Sequence, residues 1–127
     1  MIEDNIIENY IDHKIIEDSK DYQILDFEFN DSKNKIPINL YIFKHNENFG
    51  LYFNEPISGL CFKCSINNLD ISSDDILDTL FELFESKFNQ SIQNKINIKK
   101  QLLKILKSLL DNKVYYYDIT KLYNSII

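Results

Sequence analysis

Cys61-Phe62-Lys63-Cys64 is a C-x-x-C pair, and with His13 and His45 it completes the side-chain inventory of one tetrahedral zinc site. The thiols could instead serve redox chemistry, and the imidazoles general acid–base chemistry. The spacing argues against each use. A redox C-x-x-C sets its first cysteine at a helix N-terminus, where the dipole lowers the thiol pKa. Here the pair falls within the alternation Leu60, Phe62, Cys64, Ile66, and residues three apart on a strand point to opposite faces. No second C-x-x-C, no H-x3-5-H and no Gly or Pro knuckle accompanies it. The expectation is two ordinary strand cysteines, with no metal and no cofactor.

His13 falls toward the polar side of an expected helix and His45 in a turn, positions where histidine is usually solvated. A small ribonuclease could run on two histidines, or on one with a carboxylate. It would also need cations to hold phosphate, and the chain has no arginine to supply the bidentate fork. Gly50 and Gly59 are the only glycines. They are too few for a phosphate-cradling loop, a dinucleotide fingerprint or a G-x-S-x-G elbow. No D-x-D-x-D-G calcium loop is present either.

Charge carries more information than any catalytic motif. Residues 1–90 hold eighteen Asp/Glu against seven Lys, and residues 91–127 hold seven Lys against two Asp; the formal net charge is −6. Asp75, Asp78, Glu82 and Glu85 follow 3-4-3 spacing, so on a helix they form one stripe. A helical wheel sets that stripe opposite the apolar face. Lys100, Lys104 and Lys107 form a second stripe on the next helix. A solvated helix face is normally charged, but one chosen for solubility alone mixes signs. Like charges at i,i+3 and i,i+4 cost a few tenths of a kcal/mol per pair. The uniform acidic stripe is therefore the expected partner-binding surface, and its partner a basic protein. The lysine stripe alone would give only a weak, salt-sensitive nucleic-acid contact, and the net charge opposes it. Tyr115-Tyr116-Tyr117 lacks the Gly-flanked aromatic pattern of an RNA-binding sheet.

The elements that must position these groups read as an α+β domain of 127 residues without an internal boundary. An amphipathic helix is expected over about 2–18, with Ile6, Ile7, Tyr10, Ile11 and Ile15 at helical spacing. Period-two alternation follows in four segments: Leu25/Phe27/Phe29, Ile36/Ile38/Leu40/Ile42, Phe49/Leu51/Phe53 and Leu60/Phe62/Cys64/Ile66. Short connections, including Asp31-Ser32-Lys33-Asn34 and His45-Asn46-Glu47-Asn48, imply a four-stranded antiparallel meander. Ser72-Ser73-Asp74-Asp75 opens a helix to about Phe88, with Ile76, Leu80, Phe81, Phe84 and Phe88 on its apolar face. A second helix covers about 98–111 on Ile98, Leu102, Ile105, Leu106 and Leu109. Val114–Tyr117 could form a short strand, and Asp118 could cap a last helical turn carrying Ile119, Leu122, Tyr123 and Ile126. The helices should cover one sheet face. The other face holds Tyr41, Phe43 and Tyr52, to be covered by the N-terminal helix or kept as an interface.

Hydrophobic residues at 44% are enough to drive folding of a chain this long. The excess of Ile, Asn and Lys, with no Ala, Arg or Trp, reads as the codon bias of an AT-rich genome. No apolar run reaches the roughly 18 residues of a membrane span, and the acidic start lacks the pattern of a signal peptide. The expected setting is cytoplasmic, with reduced cysteines. Small, acidic and without catalytic residues, the chain reads as a non-enzymatic inhibitor: an immunity or antitoxin protein, or a phage-borne inhibitor, that occludes a basic toxin or nuclease as a monomer or homodimer. The alternative is a secretion-chaperone-like or structural homodimeric module. A small nuclease or redox protein is the third reading.

Overall fold

The computed structural model describes residues 11–30, 35–67, 74–89 and 91–125, with residues 74–76 described in backbone only. Five strands, β1 (Ile11–Asp18), β2 (Tyr22–Asn30), β3 (Lys35–His45), β4 (Asn48–Glu55) and β5 (Leu60–Ile66), form one antiparallel sheet in the order β1-β2-β3-β4-β5. Three helices follow, α1 (Asp74–Phe88), α2 (Lys95–Asn112) and α3 (Thr120–Ser125). The class is α+β, as the alternation implied. Among the described residues no helix is long and apolar enough to cross a membrane.

The expected N-terminal helix fails over 11–18, where the chain is strand β1, so the meander has five strands and not four. Ile11 and Ile15 are four apart, which satisfies a helix, but Ile11, His13 and Ile15 also satisfy a strand's period of two. β-Branched isoleucine and pairing with β2 decide between them. Ile6, Ile7, Tyr10, the 31–34 turn, the Ser72-Ser73 helix start and Ile126 lie outside the described residues.

Register places one apolar row of β2, β3 and β4 on the inner face: Leu25 opposite Leu40, Phe27 opposite Ile38, and Ile42 opposite Leu51. Burying each of these side chains stabilises the fold by roughly 1.5–3 kcal/mol. α1 and α2 close this face. Leu77, Leu80, Phe81 and Phe84 of α1 are buried, and Phe29 meets the edges of Phe81 and Phe84 at 6.0 and 6.2 Å. α2 buries Ile98, Leu102, Leu106 and Leu110, one stripe at i, i+4 spacing, while Ile105 and Leu109 pack beside it.

Local chemistry sets the connections. Asn46 and Asn89 take left-handed backbone, which asparagine tolerates, at the β3–β4 turn and just past the end of α1. Between β4 and β5 the carboxylate of Glu55, only 1% exposed, accepts the N–H groups of Ile57 and Ser58 at 2.9 and 2.6 Å and so ties the turn from beneath. Gly59 supplies the positive φ of 76° that closes it.

The C-terminal segment departs from the expected plan. Val114–Tyr117 is irregular instead of a strand. Tyr115 is buried, with its hydroxyl donating to Gln23 Oε1 at 2.8 Å. β2 begins opposite Phe43 while β3 runs on to His45, which leaves an edge at Lys44. Asp118 forms a parallel bridge to that edge, and the Ile119 N–H donates to the Lys44 carbonyl at 3.0 Å. The chain thereby crosses to the outer face, and Asp118 caps α3 by accepting the Thr120 N–H at 2.9 Å.

Candidate functional site

The four residues of the hypothetical metal or redox centre do not converge. Cys64 pairs with Leu51 and packs against the core, where burial pushes its thiol up to about 12. Cys61 pairs with Asn54 on the outer face and receives the Tyr52 hydroxyl at 3.0 Å. That hydrogen bond, with desolvation, pushes the Tyr52 hydroxyl up to about 12. His13 is exposed on edge strand β1 beside Phe27. His45 stacks on Tyr123 with ring centroids 3.8 Å apart, and its Nδ1 lies 3.0 Å from Ser65 Oγ. Among the described residues no group of three or more His, Cys, Asp or Glu side chains could hold a metal ion.

The acidic stripe of α1 does not stand alone against solvent. Lys99 reaches Asp78 at 2.8 Å and Lys95 reaches Glu85 at 3.1 Å, both from α2. Glu85 also accepts the backbone N–H of Ile92 at 2.8 Å, so it ties the α1–α2 connection. That N–H first, and Lys95 second, hold its carboxyl below the usual range. Glu82 is exposed, and Asp75 lies in the first turn of α1. Asp78, Glu82 and Glu85, with Lys95 and Lys99, line a shallow groove of about 280 Å³. The lysines that answer the acids are not those of the sequence-level basic stripe. Lys100, Lys104 and Lys107 are all exposed on α2.

The surface that sequence reasoning undervalued is the outer face of the sheet. α3 covers only its β3–β5 end. There Phe43 is 1% exposed, under Tyr123 at 5.9 Å and flat against Gly50, where a Cβ would meet the ring at 2.5 Å. Lys63 donates to the Tyr123 carbonyl at 2.9 Å and sits 4.8 Å over its ring. The Asp118 carboxylate accepts the Asn46 N–H at 2.8 Å, and its hydrogen bonds, that from the Thr120 hydroxyl foremost, lower its pKa.

No described helix covers the rest of this face, whose residues are half-buried. Tyr41 and Tyr52 pack at 5.6 Å, and Tyr22 leans on Glu17 through a 2.8 Å hydrogen bond. Beside them a groove of about 390 Å³ crosses β1, β2 and β3, lined by Asp12, Lys14, Asp26, Glu28, Pro37 and Asn39 among others. Asp12 stands directly opposite Glu28 in the ladder, a like-charge pair, and Asn30 donates to the Asp12 carboxylate at 3.0 Å. Lys14 opposes Asp26, and Lys35 approaches Glu28 at 3.8 Å between exposed side chains. The alternation Asp26, Glu28 against Phe27, Phe29 signals such a face; what it does not signal is that the helices leave it uncovered. The chain matches no protein-family model, no curated protein and no solved structure.

Proposed function

We propose that this chain is a non-enzymatic binding protein of the immunity or antitoxin type, which occludes a basic toxin or nuclease. The observation that supports this reading is the outer face that no described helix covers, where Tyr41 and Tyr52 pack together and a groove is lined by Asp12, Asp26 and Glu28. Tyrosine is favoured at interfaces because it offers a large, stiff apolar body with a polar tip. Carboxylates beside it steer a cationic partner and set its orientation. A cation on the partner would relieve the like-charge pair Asp12–Glu28. In this respect the sheet face is better suited than the α1 stripe, since Asp78 and Glu85 already have internal lysine partners. Asp75 and Glu82 would then lie at the rim or outside the contact.

The test uses the intact chain as bait in an extract of its native host. A D26K/E28K variant should lose a salt-sensitive basic partner, with association slowed roughly tenfold, whereas a D78K/E82K variant should retain it. The captured partner should be a cleaving enzyme that the wild-type chain inhibits. Equal capture by D26K/E28K would remove the sheet-face reading. A partner whose activity is unaffected by the chain would remove the inhibitor reading.

A further inference from the structure

β1 is an edge strand, joined to the sheet only through β2 among the described residues. Ile15 and Ile16 on it are 45% and 50% exposed. Such an edge is a template for another strand. Its sequence answers what that strand is. We infer that β1 pairs with β1 of a second copy of this chain, antiparallel and centred on His13, to make one continuous sheet across a two-fold axis.

The argument rests on register. A two-fold axis normal to the sheet pairs only residues that share a face, so the axis must pass through one residue. The ladder with β2 is regular from Ile11 to Ile15 and slips between Ile15 and Glu17, so 11–15 is the unbulged stretch. Centring on Asp12 sets aspartate against aspartate, and centring on Lys14 sets lysine against lysine. Centring on His13 sets Asp12 against the second copy's Lys14 twice and Ile11 against its Ile15 twice. This register is complementary in charge on the outer face, and on the inner face it sets isoleucine pairs on either side of His13, which meets its own symmetry mate. Ile15 also borders a cleft with Leu109, Val114 and Tyr116, and Val114 and Tyr116 are 71% and 67% exposed. The second copy would lie beside this apolar margin. The bulge that follows Ile15 ends the pairing, which limits the contact to five residues per chain and keeps it from running on into Glu17 and Asp18.

Analytical ultracentrifugation over a concentration series tests the pairing. The wild-type chain should show reversible dimerisation. D12K sets Lys against Lys at two symmetric positions and should raise the dimer dissociation constant about tenfold. D12K also gives up the hydrogen bond that Asn30 donates to Asp12 at 3.0 Å, so urea denaturation is run alongside, and K14D, which keeps that bond and sets Asp against Asp at the same two positions, should weaken the dimer as much. The swap D12K/K14D restores opposite pairs and should restore the wild-type dimer. A wild-type chain that stays monomeric at every concentration overturns the inference, as does a dimer indifferent to D12K. A D12K dimer loss that the double swap fails to repair overturns the His13 register.

Discussion

The two faces of the sheet hold their residues by different physics. The inner face is a largely apolar layer from Ile11 to Ile66, with Gln23 and Glu55 buried at its margins, closed by two helices and joined into one core. The outer face has one dry spot, Phe43 under α3, and is otherwise a mosaic of half-buried tyrosines, asparagines and carboxylates. Stability is concentrated on the first face, which leaves the second free to carry residues chosen for something else. Like charges at Asp12 and Glu28 are tolerable there because the core compensates for them.

Four experiments would break or sharpen this contrast. The largest effect should come from F29A, which removes a ring held between β2 and α1. We expect a loss of about 3–5 kcal/mol in urea denaturation, against about 1 kcal/mol or less for Y41A on the outer face. Equal losses would mean that the outer face is as structural as the inner. G50A should cost about 1–3 kcal/mol, because its Cβ would enter the Phe43 ring. A smaller side chain in F43L should absorb part of that cost, and a double-mutant cycle would measure the coupling.

E85Q comes next, at about 1 kcal/mol, since it weakens the hydrogen bond to Ile92 and removes the ion pair with Lys95. E82Q, exposed one turn away, should stay within about 0.5 kcal/mol. The sign with pH follows from the lowered Glu85 pKa. Its stabilisation is complete above the unfolded-chain value and fades as the pH falls through the folded one. Acid titration of stability should therefore be shallower in E85Q than in wild type. The smallest global effect should come from Y123A, about 0.5–1 kcal/mol, because Tyr123 is itself only half-buried and its loss uncovers just the Phe43 ring. Hydrogen exchange should nevertheless speed up at the Ile119 amide while the Leu51 amide stays protected. A uniform change at both amides would show that α3 is integral to the core.

Much of the inner face is legible in the sequence because period two and period four are local signals. Phe27 beside Glu28, or Leu102 four before Leu106, declares its burial without knowledge of the rest of the chain. β1 was not legible because Ile11 and Ile15 fit both periods, and pairing with β2 decided the outcome. The candidate surfaces are harder still. That Lys95 and Lys99 would answer Glu85 and Asp78 depends on how two helices lie side by side, which no spacing within either helix encodes. The crossing at Lys44 depends on β3 outrunning β2, a long-range mismatch of strand ends. Asp118 as a cap was readable; the face it would cap against was not.

The order of elements along the chain also fixes the order in which this molecule can be made. Every strand pairs with its immediate neighbour in sequence, so the sheet can assemble hairpin by hairpin with short loop closures. The two helices that cover it are encoded afterwards. During synthesis the row from Leu25 to Ile66 is made before the helices that bury it, and only when Leu110 has emerged can α2 complete its lid. The interval between those two points is the window in which a nascent chain is most exposed to aggregation and to chaperone capture.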